Sequence, residues 1–248
     1  MRNSAVEDID TCIFRKRLMD RPMDRKCYAF FDVDHTIISG SSGRYLAFRC
    51  VREGILPFRN LLKIPLLYFH YRTGILEPEI LRKLLQQLEG VPIARMRELS
   101  AEIFEQKLKP RLYARAVRLI EEKRKMGRTV VLATSAPESI VRPVAMYLGV
   151  DDVVATRFEV RDGKLTGRFD GLPAFGKGKQ DKVRAFAEGQ QADLSCCSFY
   201  SDSHYDLPLL MSVKEPVAVN PDRKLRRTAE KQGWKILKFR KVLGKPRC

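Results

Sequence analysis

Cys27-Tyr-Ala-Phe-Phe-Asp-Val-Asp34 is a short apolar run that carries three aromatic side chains and ends in carboxylates. Continuous apolar character over this length is typical of a strand that is buried on both faces, as strands of a parallel sheet are. Such sheets bind ligands at the carboxyl ends of their strands. The stretch therefore predicts a parallel α/β sheet whose chemistry begins at Asp32 and Asp34.

The chain beyond residue 110 alternates between strand-like and helix-like patterns, which is typical of a mostly parallel sheet covered by helices on both faces. We expect a three-layer, Rossmann-like α/β core. The predicted strands are 129–134, 153–156, 196–200, 216–219 and 235–238. The predicted helices are 111–126, 137–149, 180–188, 205–212 and 221–232, and a hairpin over 158–169 turns at Asp162-Gly163.

The block between the first strand and residue 110 has a uniformly helical pattern. Glycine and proline residues divide it into predicted helices at 44–53, 57–72, 77–89 and 92–108. The Ser39-Gly-Ser-Ser-Gly43 stretch before it has the composition of a flexible connection. We predict an N-terminal arm at 1–26, a core formed by 27–42 and 111–248, and an all-helical cap inserted at 43–110.

Composition and charge narrow the class of protein. The chain has 248 residues, of which 44% are apolar and 31% charged, so widespread disorder, collagen and coiled-coil architectures are excluded. The polar N-terminus does not resemble a signal peptide, and we expect neither a membrane-spanning helix nor secretion. The net charge of +17 favours an anionic partner, namely nucleic acid, anionic lipid or a phosphorylated substrate.

The six cysteines are scattered, without a C-x-x-C pair or a histidine spaced for zinc. We expect reduced, mostly buried thiols in a cytoplasmic protein. Cys27, Cys196 and Cys197 lie in apolar runs and are predicted to be small core residues.

Four polar motifs follow one another along the chain in a recognisable order. Asp32-Val-Asp34-His-Thr36 follows the first strand, Thr134 ends the second, Lys179 or Lys182 opens a helix, and Ser201-Asp202-Ser-His-Tyr-Asp206 follows a later strand. This set resembles that of the haloacid dehalogenase superfamily of phosphotransferases. The helical insert is similar to the C1-type cap of its phosphoserine phosphatase-like branch, subfamily IB. The resemblance covers residues 27 to 238 and extends to a bacterial subgroup that includes phosphatidylglycerophosphatase-type enzymes.

The resemblance implies a phosphatase in which Asp32 is the nucleophile that forms an aspartyl-phosphate and Asp34 is the general acid and base. It implies Mg²⁺ held by the Asp32 and Asp202 carboxylates and the Asp34 carbonyl oxygen, with Asp206 as a further acidic partner. These residue types suit the chemistry, because a carboxylate that attacks a dianionic phosphate needs positive charge nearby. Pumps of the superfamily lack an acidic group at the Asp34 position, so Asp34 favours rapid dephosphorylation.

Two assignments in the motif set stay open. Lys182 is the favoured lysine because Lys182-Val183 matches the bacterial subgroup, whereas Lys179 matches the spacing in phosphoserine phosphatases. Thr134 is favoured over Ser135 as the hydroxyl that holds a phosphoryl oxygen, with the Ser135 N–H assisting.

The substrate is the least determined feature. Phosphoserine phosphatases carry a glutamate nine residues after the nucleophile, and here that position is Ser41, which disfavours phosphoserine without excluding it. A small phosphorylated metabolite is the leading prediction. The alternative is a lipid phosphate at the inner membrane face, suggested by the apolar stretch 55–71 and by the net charge of +9 in residues 222–248. Intact Asp32, Asp34 and Asp202 argue against a nucleic-acid-binding or scaffold protein.

Overall fold

A parallel six-stranded sheet forms the centre of the computed structural model, which describes residues 26–59, 78–150 and 152–244. The strands are β1 (Tyr28–Phe31), β2 (Thr129–Pro137), β3 (Asp152–Thr156), β6 (Ser198–Ser201), β7 (Glu215–Val219) and β8 (Lys235–Leu237). They lie in the order β3-β2-β1-β6-β7-β8, and every neighbouring pair is parallel. Strands β4 (Phe158–Arg161) and β5 (Lys164–Phe169) form the predicted hairpin.

Both faces of the sheet are covered, as the unbroken apolar character of β1 predicted. Ala29 and Phe31 belong to the apolar cluster on one face, and Tyr28 and Phe30 belong to the cluster on the other. Because successive strand residues point to opposite faces, a strand with apolar residues at every position has to lie between two layers. The predicted three-layer α/β fold is confirmed.

Helices connect the strands and, with the turns between them, form the described part of the insert. They are α1 (Ser42–Arg52), α2 (Pro78–Gln86), α3 (Ile93–Ile103), α4 (Ala114–Lys125), α5 (Glu138–Leu148), α6 (Lys177–Gly189), α7 (Leu207–Leu210) and α8 (Arg223–Gln232). A π-helical turn at Phe104–Leu108 and a 3₁₀ turn at Lys109–Arg111 follow α3. The predicted helix at 57–72 lies largely outside the described residues.

The two connections between the insert and the core run side by side. Ser39 N–H donates to the Arg111 carbonyl at 2.9 Å, and Tyr113 N–H donates to the Ile37 carbonyl at 2.9 Å. The insert therefore leaves and rejoins the core at one place, a few residues after β1 and Asp32. The domain boundaries at residues 43 and 110 stay a prediction.

The serine-rich stretch before α1 is an ordered helix start rather than a flexible connection. Ser41 is buried and accepts a hydrogen bond from the Arg44 N–H at 3.4 Å, so it is the N-cap of α1. Serine is among the preferred N-cap residues because its hydroxyl satisfies a backbone donor that the first turn leaves unpaired. That local signal outweighs the flexible composition of Ser39–Gly43.

The expectation that all cysteines are reduced is wrong for two of them. Cys27 and Cys196 form a disulfide with their Cα atoms 5.4 Å apart. The register pairs Ala29 of β1 with Ser198 of β6, so the residues two positions earlier also lie opposite each other. Cys197 and Cys50 are buried free thiols.

Replacing both cysteines, Cys27→Ser and Cys196→Ser, should lower the free energy of unfolding by about 2–4 kcal/mol, because the bridge closes a long loop in the unfolded chain. Turnover at ambient temperature should not change, since the bridge lies at the N-terminal ends of β1 and β6. Urea unfolding of the variant, with reduced wild-type protein as control, measures the first effect. A midpoint in the double variant equal to that of the disulfide-bonded wild type would contradict it.

The described part of the basic C-terminal segment, residues 222–244, packs onto the core. Trp234 and Ile236 pack against one apolar cluster, while the buried Phe239 belongs to the other, and Leu237 packs against it. The predicted binding of this segment to an anionic membrane therefore finds no support, because the apolar side chains that would insert are used inside the protein. No helix in the described parts of the chain has the length and apolar character needed to cross a membrane.

Candidate active site

The candidate site lies where the order of the sheet reverses. The chain runs outward from β1 through β2 and β3 on one side, and from β6 through β7 and β8 on the other. Connections that leave β1 and β6 in opposite directions open a crevice at the carboxyl ends of these strands. Asp32 and Asp202 directly follow these two strands, and the Asp32 N–H donates to the Tyr200 carbonyl at 2.9 Å.

Most of the predicted site residues line a narrow cleft at this edge of the sheet. Its free volume is about 30 Å³. Its walls are formed by Asp32, Asp34, His35, Ser135, Phe175, Lys179, Asp202, Ser203, Tyr205 and Asp206. The parallel strand ends therefore bring together motifs that are up to 174 positions apart in the sequence, from Asp32 to Asp206.

The lysine in the cleft is Lys179, and the sequence-based preference for Lys182 is not supported. Lys179 is 3% exposed, and its Nζ lies 3.0 Å from Asp32 Oδ1 and 2.8 Å from Asp206 Oδ2. Lys182 is half-buried and does not line the cleft. Helix α6 begins at Lys177, three residues earlier than predicted, and this places its first turn over the site.

The electrostatic balance at Asp32 leaves the site rich in negative charge. Burial raises the pKa of Asp32 well above its ordinary value, Lys179 lowers it, and the neighbouring Asp206 and Asp202 raise it further. All three carboxylates are at most 5% exposed. The single positive charge of Lys179 does not neutralise three buried carboxylates. An added cation would therefore stabilise the ionised form of Asp32.

Asp34 is held by two serines that the sequence analysis did not assign to the site. The Ser42 N–H donates to Asp34 Oδ1 at 2.9 Å, and the Ser41 hydroxyl donates to Asp34 Oδ2 at 3.2 Å. The signal that could have identified them is the N-cap position of Ser41. It directs the backbone N–H groups of the first turn of α1 toward the end of β1. The first turn of the insert thus orients the side chain of Asp34.

Of the two predicted phosphate-binding residues, only Ser135 lines the cleft. Thr134 is buried beside it, and its hydroxyl accepts a hydrogen bond from the Ala136 N–H at 3.2 Å. Ser135 is in turn fixed through its carbonyl oxygen, which accepts from the Thr156 hydroxyl at 2.8 Å.

Asp206 accepts a hydrogen bond from Lys179 and so holds the lysine side chain beside Asp32. Its carboxylate accepts from the Ser201 hydroxyl at 2.6 Å as well as from Lys179. Both of these donors are buried, so the position of Asp206 is well determined. Ser201 begins the fourth sequence motif, but the sequence analysis gave it no role.

Asp222 anchors the loop that carries Asp202. The Asp222 N–H donates to the Asp202 carbonyl at 2.8 Å, and Asp222 Oδ2 accepts from the His204 N–H at 2.8 Å. Its other oxygen caps α8 by accepting from the Leu225 N–H at 2.8 Å. Burial raises the pKa of Asp222, but these N–H groups and His204 outweigh it and lower the value overall.

On the expectation that Asp202 is a metal ligand, Asp222→Ala should lower kcat/KM by about tenfold or more, because residues that position metal ligands typically contribute about 10–100-fold. It should also destabilise the fold by about 1–2 kcal/mol through the lost cap. Asp222→Asn, which keeps one acceptor oxygen, should have the smaller effect on both. Steady-state kinetics and thermal unfolding measure the two effects; activity in Asp222→Ala equal to that of the wild type would argue against the anchoring role.

The donor set at this edge fits a hard divalent cation. Among the described residues there is no cluster of three or more acidic, histidine or cysteine side chains that forms a ready-made metal cage. Mg²⁺ does not need one, since it is usually bound by one or two carboxylates together with water and substrate oxygens. Two buried carboxylates, Asp32 and Asp202, with the main chain of Asp34 nearby, match that requirement.

A comparison with known families agrees with this site. The model of the haloacid dehalogenase-like hydrolase family matches residues 29–211. The chain belongs to that family. It is 37% identical over 85% of its length to a Streptomyces azureus protein named inhibition of morphological differentiation protein, covering 78% of that protein. It is 32% identical over 88% of its length to phosphoserine phosphatase SerB1 of Mycobacterium tuberculosis, covering 73% of it.

Solved structures show the same fold. A Bordetella pertussis protein of unknown function is 29% identical to the chain and superposes with a TM-score of 0.78, over 86% of this chain and 98% of the other. The predictions of a haloacid dehalogenase-type α/β fold and of an enzyme of the phosphatase class are confirmed. The finer prediction of subfamily IB stays a prediction.

Proposed function

We propose that the chain is a Mg²⁺-dependent phosphomonoester hydrolase that acts through an aspartyl-phosphate on a small phosphorylated molecule. The observation that carries this proposal is the buried ion pair between Lys179 and Asp32 at the switch point of the sheet. Asp32 is buried but lines the cleft, is paired with a cation and has further carboxylates beside it. These are features of an activated nucleophile.

In the first step, an Asp32 oxygen forms a bond to phosphorus while the bond from phosphorus to the leaving oxygen breaks. Asp34, in its protonated form, donates its proton to that leaving oxygen. In the second step, Asp34 takes a proton from water, the water oxygen bonds to phosphorus, and the bond to Asp32 breaks. The products are an alcohol and inorganic phosphate, and both carboxyl groups return to their starting state.

The other side chains supply charge and position. Lys179 would compensate the negative charge of the phosphoryl group as it approaches Asp32, and Ser135, aided by neighbouring Thr134, would hold a phosphoryl oxygen. Asp32, Asp202 and the Asp34 carbonyl would hold Mg²⁺, with Asp206 in support through Lys179. When bound, Mg²⁺ supplies positive charge that offsets the repulsion between a carboxylate and a dianionic phosphate.

The proposed division of labour follows the predicted domains. The core of 27–42 and 111–248 would perform the phosphoryl chemistry, and the helical cap of 43–110 would contact the leaving group. Closing of this cap would exclude water during the first step, and opening would admit water for the second.

Phosphoserine is a specific alternative substrate because of the similarity to SerB1. Two observations disfavour it. Ser41 stands where phosphoserine phosphatases carry the glutamate that helps hold the substrate amine, and the Ser41 hydroxyl is directed to Asp34. An ammonium group would therefore lack the carboxylate partner that a selective amine site needs.

Metal dependence provides the test. Chelated protein should lose phosphate release from p-nitrophenyl phosphate and regain it with Mg²⁺. Asp202→Asn should raise the Mg²⁺ concentration for half-maximal activity by about tenfold or more. The matched control Asp170→Asn, at an exposed position, should behave as wild type. Full activity in chelator, or an unchanged Mg²⁺ requirement in Asp202→Asn, would contradict the proposal.

A further inference from the structure

A second, much larger cavity adjoins the catalytic cleft. Its volume is about 620 Å³, within the range of roughly 300–1,000 Å³ that is typical of pockets for drug-sized ligands. Ser135 and Phe175 line both the cleft and this cavity. The leaving group of a phosphate ester seated in the cleft therefore has direct access to the larger space.

The walls of the cavity are mostly apolar, and besides core residues near the cleft they come from two parts of the fold. Helices α1, α2 and α3 of the insert contribute Leu46, Ala47, Cys50, Leu84, Leu85 and Met96. The hairpin β4-β5 contributes Phe158 and Phe169.

The hairpin is fastened to the insert, which makes this a defined cavity. Gly90 N–H donates to the Leu165 carbonyl at 2.8 Å, and Leu165 N–H donates to the Val91 carbonyl at 2.9 Å. At Gly167, which has a positive φ of 71°, a Cβ atom would lie 2.9 Å from the Cα of Gln86. The close approach of the hairpin to α2 thus requires glycine at this position.

The charged and polar groups of the lining do not match a positively charged leaving group. No acidic residue occurs in the described lining, and its charged side chains are Arg82 and Arg168, both exposed. The Thr156 hydroxyl already donates to the Ser135 carbonyl and accepts from the Ala174 N–H at 3.0 Å. A substrate ammonium would be desolvated here without a carboxylate, which is costly, whereas alkyl or aryl groups would gain by leaving water.

We propose that this cavity is the leaving-group site for phosphate monoesters of apolar alcohols, with an extended uncharged alkyl or aryl portion. The inference rests on the proposed phosphatase function and names its substrate class. The occupant is fixed by three features: continuity with the cleft at Ser135 and Phe175, apolar walls, and a lining without carboxylates. A carbon chain would extend from the phosphate past Phe175 toward Leu85 and Met96.

A series of n-alkyl phosphates provides the test, because chain length beyond butyl hardly alters the reactivity of the ester. The value of kcat/KM should rise with chain length by up to about fourfold for each buried methylene. Octyl phosphate should thus exceed butyl phosphate by at least about tenfold, and O-phosphoserine should be poorer than either. Acetyl phosphate, which has no apolar chain, reports the chemistry of the cleft alone.

A space-filling variant localises the effect. Ala47→Phe should lower the ratio of kcat/KM for octyl phosphate to that for acetyl phosphate by about tenfold, since the new ring occupies part of the cavity. The matched control is Ala101→Phe, which adds the same ring at an exposed position of α3 outside the lining and should leave the ratio unchanged. Thermal unfolding checks that both variants are folded.

The outcomes separate the two proposals. A flat chain-length profile with good turnover of acetyl phosphate would overturn the apolar-cavity inference and leave the phosphatase intact. Calorimetric binding of octyl phosphate that is lost in Ala47→Phe, without turnover of any ester, would retain the cavity and overturn the phosphatase. Equal ratios in Ala47→Phe and Ala101→Phe would overturn the placement of the chain in this cavity.

Discussion

Asp32→Asn should abolish phosphatase turnover, with kcat at least about 10⁴-fold below that of the wild type, the scale seen when a nucleophile is removed. The amide is isosteric with the carboxylate but cannot form the covalent bond to phosphorus. Lys179 keeps its contact with Asp206, so we expect the variant to fold. Phosphate release from p-nitrophenyl phosphate under saturating Mg²⁺ measures the effect.

Asp34→Asn gives the comparison that separates the two carboxylates. It should slow both steps by about 10²–10⁴-fold, the usual contribution of general acid–base catalysis, while leaving the nucleophile in place. The exposed Asp170→Asn again serves as the charge-matched control. Turnover of purified Asp32→Asn within tenfold of the wild type would contradict the assignment of the nucleophile.

Lys179→Met should lower kcat/KM by about 10²–10³-fold, comparable to the loss of one charge-stabilising donor in an active site. Its Nζ contacts both Asp32 and Asp206, so its removal leaves two neighbouring buried carboxylates uncompensated. Their uncompensated negative charge repels an approaching phosphate dianion, so the KM for substrate should rise together with the fall in kcat.

The matched control is Lys182→Met, which removes the same charge one helical turn away on α6. Because Lys182 does not line the cleft, its turnover should stay within about twofold of the wild type, like that of other surface substitutions. A large loss in Lys182→Met with near-normal Lys179→Met would reverse the assignment and restore the sequence-based preference.

The sequence was sufficient to place the acidic residues at one edge of the sheet. Asp32, Asp34, Asp202 and Asp206 each follow an apolar run, and parallel strands connected by helices have to end on the same side. The identity of the family followed from the same motifs. These features depend on local pattern and on the handed connectivity of α/β folds, both of which can be inferred from one chain.

The choice of lysine could not be made in that way. Lys179 and Lys182 are three positions apart and lie on nearly the same face of a helix, displaced by about 4.5 Å along its axis. Sequence periodicity identifies which face of the helix points to the site. It does not say which turn of the helix lies next to the strand ends. That height is set by where α6 begins, at Lys177, and by its packing.

Two other features depend on contacts between distant residues. The Cys27–Cys196 bridge spans 169 positions and becomes apparent only from the register of β1 and β6. The apolar cavity is built from residues of the insert and the hairpin that each have the pattern of ordinary core positions, such as Leu85 and Phe158. Periodicity cannot distinguish a side chain that fills a core from one that lines a void beside it.

The covalent intermediate is the most direct test of the central claim. The protein would be mixed with ³²P-labelled substrate and Mg²⁺, quenched in acid within one turnover, and reduced with borohydride before peptide mapping. We predict hydroxylamine-labile label on the protein, conversion of the Asp32 carboxyl to the alcohol, and neither signal in Asp32→Asn. Stable label on a different residue, or full turnover without any protein-bound phosphate at the shortest quench times, would contradict the account.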